Sequence, residues 1–248
     1  MFEKELWRAA TEGDTDKVKA LLRRYDVDFD WADPELNRTA FYRACGHGRV
    51  DVVKALLNDD RVDVNKSTLD EVSPFYVACF TSQIEVVKLL LTDERIDVNK
   101  ANEYDATPIY MACQVGNLEV VKLLLTEPRV DCNSATKTGS TPFFIACQNG
   151  HVEIVKWMLA CERDIHTRKV WKIQNRTAIQ QAKYQAYNQT YDEVTDEIKK
   201  KQEACAEIVL TLEAYGQHPD RKIKELRKEL GMGLIFFFFS LFSFLYFL

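Results

Sequence analysis

Residues 107–134 read TPIYMACQVGNLEVVKLLLTEPRVDCNS, and the same pattern stands in three other parts of the chain. The other copies are TAFYRACGHGRVDVVKALLNDDRVDVNK at 39–66, SPFYVACFTSQIEVVKLLLTDERIDVNK at 73–100 and TPFFIACQNGHVEIVKWMLACERDIHT at 141–167. All four align without gaps at a constant spacing of 34 residues. A fixed period of this length predicts a repeat protein, in which similar units stack side by side.

Each unit carries the signals of two helices separated by a turn. Thr107 and Pro108 open the first helix, because a hydroxyl caps free N–H groups and proline fits the first turn. Gly116 breaks that helix, and Val120 and Leu124 then recur at helical spacing on the second. One pair of helices cannot bury this apolar stripe alone, so the pattern predicts an all-α stack.

The repeat resembles the ankyrin repeat, whose pattern has Thr-Pro-Leu-His, paired alanines, a glycine, paired valines, paired leucines and Gly-Ala-Asp-Val-Asn. The resemblance covers roughly residues 6–216. Three departures stand out: Tyr76 and Tyr110 replace the histidine, cysteine replaces the second alanine, and the closing loop has one extra residue, with Arg95 near the usual glycine. The resemblance implies a solenoid of helix-turn-helix units with short hairpin-like loops, plus a C-terminal helical extension.

The pattern sets the expected boundaries of the chain. An N-terminal capping repeat would span 1–38, followed by repeats at 39–72, 73–106, 107–140 and 141–175, and a C-terminal capping repeat at 176–216. In that last copy Ala182 and Val209 are 27 residues apart, whereas Ala146 and Val155 are nine apart, an insertion of 18. The insertion has helical spacing, so we expect a lengthened hairpin that caps the stack; a dedicated binding arm is the alternative.

The remaining residues form a basic amphipathic linker helix at 217–231 and an apolar tail at 232–248. The tail would span roughly 25 Å as a helix, against a bilayer core of about 30 Å. Three interpretations stay open: a C-terminal membrane anchor, an artefact such as a mistranslated or intron-derived end, and an apolar strip that packs on the repeats or on a partner. A GPI signal is not expected, because no entry signal precedes it.

Composition narrows the class of protein. The formal charge is −5, from 33 basic and 38 acidic residues, so no basic face for nucleic acid is expected. The N-terminus has no apolar signal core, which predicts a cytoplasmic protein, tethered to a membrane only if the tail is an anchor. The seven cysteines would then be reduced thiols.

No pattern predicts catalysis, a cofactor or a metal site. Cys45, Cys79, Cys113 and Cys147 recur every 34 residues without the paired spacing of a zinc site, so we interpret them as small core residues. His151 fills a loop position of the repeat, where it would brace the turn. Chain order alone gives no nucleophile–histidine arrangement, and no phosphate-binding or metalloprotease motif is present.

The resemblance implies that a partner binds the concave side, built from hairpin tips and the exposed ends of the first helices. These positions vary between repeats while the framework stays fixed; drift at positions without packing duty is the alternative. The candidate residues are Leu69, Asp70, Phe80, Glu103, Tyr104, Gln114, Lys137, Thr138, Gln148 and Asn149. The leading hypothesis is a monomeric adaptor or scaffold that binds another protein, and the runner-up is a tail-anchored membrane regulator.

One further hypothesis concerns the asparagines of the closing loops. Asn65, Asn99 and Asn133 each follow a leucine by eight residues. The resemblance implies that such an asparagine can be a substrate of an asparaginyl hydroxylase, with the leucine as recognition element. The alternative is that the short amide simply bonds the hairpin backbone.

Overall fold

The structure is a computed structural model that describes residues 1–161, 163–165, 167, 177–188 and 195–232. Within these residues the regular structure is helical, and the only strand-type pairing is an isolated antiparallel bridge between Ala32 and Thr39. The all-α prediction is therefore confirmed. The chain divides into two compact units, Met1–Pro142 and Phe143–Leu248.

The first unit consists of four helix pairs. The helices are α1 Phe2–Glu12, α2 Thr15–Leu22, α3 Ala40–Gly46, α4 Val50–Leu57, α5 Pro74–Phe80, α6 Ile84–Leu91, α7 Pro108–Val115 and α8 Leu118–Thr126. The first helix of each pair contacts the first helix of the next, in the order α1, α3, α5, α7. The second helices make the parallel row α2, α4, α6, α8. This double row is the stacking that the 34-residue period predicts.

A hydroxyl caps the start of the inner helices α3, α5 and α7. The side chain of Ser73 accepts a hydrogen bond from the backbone N–H of Tyr76 at 3.1 Å, and Pro74 occupies the first turn. Thr39 and Thr107 make the same bond at 3.1 and 3.4 Å. All three hydroxyl residues are buried, so the cap satisfies donors that water cannot reach.

The core of the first unit is a repeated apolar interior. Phe41, Phe75 and Ile109 occupy the same register position in successive inner helices and are almost fully buried. Cys79 and Cys113 have no exposed surface, and burial raises the pKa of both thiols. Buried thiols of this kind stay protonated and pack as small apolar groups.

An arginine in each closing loop ties one repeat to the repeat before it. The guanidinium of Arg95 donates a hydrogen bond to the backbone oxygen of Leu57, the last residue of α4. The same guanidinium forms an ion pair with Asp93 at 2.7 Å. The last carbonyl oxygens of an α-helix have no partner within that helix. Arg95 therefore supplies a donor to a helix end in the preceding repeat.

This arginine contact recurs along the first unit. Arg61 donates to the backbone oxygen of Leu22 at 2.6 Å, and Arg129 donates to that of Leu91 at 2.8 Å. Leu22 ends α2 and Leu91 ends α6. Each arginine also pairs with the acidic residue two positions earlier in its own loop. The closing loop departs from the family pattern by one extra residue, with Arg95 near the usual glycine. The arginine at this position caps a helix of the preceding repeat.

The second unit begins inside the helix α9 Pro142–Asn149 and continues with α10 Val152–Ala160. Then follow α11 Ala178–Lys183, a π-helical turn at Tyr184–Asn188, α12 Asp196–Gln217 and α13 Pro219–Glu229. The long helix α12 packs against α11, the π-helical turn, α10 and α13. The inserted segment therefore contributes the first part of a 22-residue helix that lies against its neighbours.

A lysine with a buried side chain connects three helices of the second unit. Lys156 of α10 is 8% exposed. Its ammonium lies 2.7 Å from Glu229 of α13, 2.9 Å from Glu207 of α12 and 3.3 Å from Glu153. These carboxylates outweigh the effect of burial and raise the pKa of Lys156. Because three anions surround one cation, Lys156 stays charged and holds α12 and α13 against α10.

The segment at 217–231 forms a helix that packs within the second unit. Leu226 of α13 is fully buried, and the Arg227 side chain donates to the backbone oxygen of Ala160 at 2.9 Å, at the end of α10. No helix among the described residues combines the length and apolar character that crossing a bilayer requires. The apolar tail beyond Met232 lies outside the described residues.

Replacing Arg95 with alanine tests the cap between repeats. The change leaves the Leu57 carbonyl without this donor and Asp93 without its ion pair, so we expect a loss of about 1–2 kcal/mol in unfolding free energy. The matched control is Lys88→Ala, which breaks a more exposed ion pair with Glu85 and should cost less than about 0.5 kcal/mol. Denaturant titration of both variants measures the difference, and equal losses would contradict the capping role.

Candidate partner-binding surface

Tight hairpins join the repeats of the first unit, and each is closed by its own backbone. The amide of Asn102 donates to the oxygen of Ala106 at 3.0 Å, and the amide of Thr68 donates to that of Val72 at 3.1 Å. One residue per hairpin adopts a positive φ angle. These residues are Asn37 (58°), Glu71 (62°), Asp105 (60°) and Gly139 (85°). Three of the four hairpins thus hold a non-glycine residue in the left-handed region, which costs free energy.

Backbone hydrogen bonds connect the tips of neighbouring hairpins. The amide of Leu69 donates to the oxygen of Leu36 at 3.2 Å, and the amide of Glu103 donates to that of Asp70 at 3.1 Å. The next bond in the series runs from the Lys137 amide to the Tyr104 oxygen at 3.0 Å. We call these six residues the tip row: Leu36, Leu69, Asp70, Glu103, Tyr104 and Lys137. Because each tip is bonded to the next, the row has a fixed spacing.

Large apolar side chains of the tip row project into solvent. Leu69 is 65% exposed, Tyr104 is 62% exposed and Leu36 is 43% exposed. The predicted residues Asp70, Glu103 and Lys137 are exposed as well, whereas Thr138 is half-buried and hydrogen-bonded to the Thr136 hydroxyl at 2.9 Å. The structure therefore brings five of the predicted residues together in one bonded row.

An asparagine holds the backbone around Tyr104. The side-chain oxygen of Asn102 accepts from the amides of Tyr104 and Ala106, both at 3.0 Å. Its side-chain nitrogen donates to the hydroxyl of Tyr76 at 3.1 Å. Burial raises the pKa of Tyr76, so this hydroxyl stays neutral. Tyrosine at the family's histidine position thus reaches the next hairpin and fixes the loop that presents Tyr104.

The other predicted binding residues lie at the ends of inner helices. Phe80 is the last residue of α5 and is 45% exposed, and Gln114 is exposed in the last turn of α7. Beside Gln114, Val115 is 41% exposed. Gln148 and Asn149 end α9 and are half-buried. These last two belong to the second unit, while the tip row belongs to the first.

Sequence reasoning missed Leu36 and the role of the first hairpin. Asp33 accepts from the amides of Leu36 and Arg38 at 3.1 and 2.9 Å and pairs with the Arg38 guanidinium at 2.9 Å. The signal was present, because Asp33 precedes Thr68 by 35 residues and Leu36 precedes Asp70 by 34. The unequal spacing hides the first hairpin from an alignment without gaps.

The electrostatic environment of Tyr104 is negative. The charge of Glu103 and a hydrogen bond to its carboxylate raise the pKa of Tyr104, and the charge of Asp70 acts in the same direction. The hairpin segments 68–72 and 102–106 contain four carboxylates, namely those of Asp70, Glu71, Glu103 and Asp105, and no basic residue. All four side chains are exposed. A cation that approaches Tyr104 would therefore be attracted.

The closing-loop asparagines bond the backbone of the next repeat. The side chain of Asn65 donates to the oxygen of Arg95 at 2.6 Å and accepts from the amide of Asp97 at 2.9 Å. Asn99 makes the corresponding pair with Arg129 and Asp131, both at 2.7 Å. Asn133 is half-buried. The amide groups thus have a structural role between repeats, and hydroxylation of these residues stays a prediction.

Two rows of short helices, joined by bonded hairpins, define a stacked-repeat protein. The family model of ankyrin repeats, which describes three copies, matches residues 6–102 and again residues 96–169. These matches cover more than half of the 248 residues, so the chain belongs to the ankyrin-repeat family. No curated protein matches the chain. Proteins of this kind generally act in protein–protein interactions.

Acid should weaken the first hairpin through Asp33. The hydrogen bond from Arg38 lowers the pKa of Asp33 to about 2, against burial, and the two backbone amides add to the shift. Because the folded pKa is depressed, this stabilisation is complete above the unfolded value of about 3.9 and is lost as the pH falls through about 2. We expect Asp33→Asn to melt about 2–4 °C below the wild type at pH 5.

That difference should shrink as the pH is lowered toward 2, because the wild-type carboxyl then becomes neutral too. Thermal unfolding of both proteins across this range is the measurement. A melting-temperature difference that stays constant from pH 5 to pH 2 would show that the charge of Asp33 contributes nothing.

Proposed function

We propose that this protein is an adaptor or scaffold that binds another protein through the tip row and the neighbouring ends of α5 and α7. One observation carries the proposal: large apolar side chains stand exposed on a row of hairpins that hydrogen bonds hold at fixed spacing. Exposed aromatic and apolar groups on a rigid scaffold are the residue types that dominate protein interfaces.

The distribution of exposed apolar residues favours binding over drift. Eight large apolar side chains are exposed among the first-unit residues. Five of them, Leu36, Leu69, Phe80, Tyr104 and Val115, stand on hairpin tips or inner-helix ends. Drift at positions without packing duty would scatter such residues over the outer helices as well. Of those helices, only α4 carries one, Val50, at its first position.

Rigidity supports the same proposal. The loop of Tyr104 is held from two sides, by the Asn102 side chain and by the Lys137 amide. A surface that is already ordered loses little conformational entropy when a partner binds, so more of the contact energy appears as affinity. No group of three or more potential metal ligands occurs among the described residues.

Two further proposals, the cytoplasmic location and the tail-anchored membrane regulator, are based on the sequence alone. The tail-anchored alternative depends on the Phe-rich tail, which lies outside the described residues. The cytoplasm is proposed as the compartment, as the sequence analysis predicts. Both stay predictions, and the adaptor role does not depend on either.

Tyr104→Ala should weaken partner binding and leave stability nearly unchanged. The ring is largely exposed, so its removal should leave the melting temperature nearly unchanged. The matched control is Tyr25→Ala, because Tyr25 is 97% exposed on the loop after α2, away from the tip row. Affinity capture with the full chain, followed by quantitative mass spectrometry, compares the proteins retained by each form.

The proposal requires at least one protein that the wild type and Tyr25→Ala retain and Tyr104→Ala loses. Equal capture by all three forms would exclude Tyr104 from the interface. A large drop in the melting temperature of Tyr104→Ala would instead make Tyr104 a structural residue.

A further inference from the structure

We infer that the occupant of the tip row is an extended segment of a partner protein that carries arginine. This inference rests on the proposed function and adds the chemistry of the partner. It is carried by the exposed apolar ridge of Leu36, Leu69 and Tyr104 and by the charges that flank that ridge.

The ridge gives an occupant its apolar contacts. Leu69 is bonded to Leu36 through the backbone, and the adjacent Asp70 is bonded to Glu103, the neighbour of Tyr104. The three apolar side chains therefore stand on three consecutive hairpins of one bonded row. Because consecutive tips lie at a regular spacing, an extended chain that crosses the row can meet them in turn. Such a chain would bury side chains that are now 43–65% exposed.

The charges of the hairpins indicate that the bound segment should be positively charged. The second and third hairpins present Asp70, Glu71, Glu103 and Asp105, and none of these carboxylates forms an ion pair within the part of the chain that the structure describes. Basic residues lie on the two outer hairpins: Arg38 on the first, where its guanidinium is paired with Asp33, and Lys137 on the fourth. Acidic segments and nucleic acid would be repelled at Tyr104, whereas a cationic segment would be attracted.

The exposed ring of Tyr104 favours arginine over lysine. A guanidinium can stack on the face of a tyrosine ring and, at the same time, form paired hydrogen bonds with a carboxylate. Glu103 directly precedes Tyr104, and its amide is bonded to the backbone oxygen of Asp70 at 3.1 Å, so ring and carboxylates lie within one site. An ammonium group is a more strongly hydrated point charge and cannot make this planar contact.

The order of charges along the tip row also predicts where the charged residues of the bound segment should lie. The first hairpin holds Glu35 and the ion pair of Asp33 with Arg38, the next two hold the four carboxylates, and the fourth holds Lys137. Arginine residues of the partner should therefore lie over the second and third hairpins. An acidic residue of the partner would fit against Lys137, at the end of the bound segment.

Three fluorescent peptides with the full chain test the inference. In each peptide one charged residue alternates with leucine. The charged residue is arginine in the first peptide, lysine in the second and glutamate in the third. Fluorescence anisotropy should show binding of the arginine peptide, several-fold weaker binding of the lysine peptide and none of the glutamate peptide. Binding of the arginine peptide should weaken as salt is added, because the charges are exposed to solvent.

A matched pair of double variants locates the binding. Asp70→Asn with Glu103→Gln removes two carboxylates from the tip row and should weaken the arginine peptide about tenfold. The control is Glu85→Gln with Glu119→Gln, which removes the same charge from the exposed outer helices α6 and α8. The control should bind as the wild type does, and melting curves establish that both double variants are folded.

Equal weakening by the two double variants would overturn the inference, because binding would then follow net charge rather than the tip row. Equal affinity for the arginine and lysine peptides would overturn the assignment of arginine. If the arginine peptide fails to bind while captured proteins still depend on Tyr104, the inference fails and the proposed function stands. If capture is also independent of Tyr104, both fail.

Discussion

The helices of the first unit are too short to stand alone, and everything else in that unit follows from this constraint. Its second to eighth helices have seven to nine residues, whereas isolated helices shorter than about 12–15 residues are marginal in water. A helix of this length also leaves a large share of its N–H and C=O groups without a partner. Neighbouring repeats supply both the apolar contacts and many of the missing hydrogen bonds.

The polar ties between repeats also set the geometry of the proposed binding surface. Arg61, Arg95 and Arg129 cap outer helices, and Asn65 and Asn99 connect the closing loops. On the opposite end of each repeat, the tip-to-tip bonds hold Leu69 and Tyr104 in register. Stability and the proposed recognition therefore both depend on hydrogen bonds that recur every 34 residues, while the side chains of the tips and of the inner-helix ends change from one repeat to the next.

The sequence predicts what is periodic and misses what is not. The hydroxyl caps of α3, α5 and α7, the apolar stripes and the cysteine positions could all be predicted from the sequence, because each depends on local spacing. The cap of Arg95 on Leu57 was not, since its acceptor lies 38 residues away and any backbone oxygen could accept. Leu36 keeps the 34-residue spacing to Asp70, but the first hairpin has one more residue before it, which hides that hairpin from an alignment without gaps.

In the second unit, the sequence does not predict which helices contact one another. From the sequence alone, Lys156 would be taken for an ordinary exposed partner of Glu153, because a spacing of three residues is common for ion pairs on a helix surface. Two of its carboxylates, Glu207 and Glu229, come from distant helices that no period relates to α10. The segment at 217–231 was predicted to be a linker. Its amphipathic pattern predicts a buried face, but it does not identify the helix that covers Leu226.

Hydrogen exchange at two amides tests most directly whether neighbouring repeats satisfy each other's backbone. The Asp97 amide is bonded to the side chain of Asn65, and the Asp131 amide is bonded to that of Asn99. In Asn65→Ala, we expect exchange at Asp97 to become much faster while exchange at Asp131 keeps its wild-type rate. Unchanged exchange at Asp97 would contradict the account, because the bond between repeats would then protect nothing.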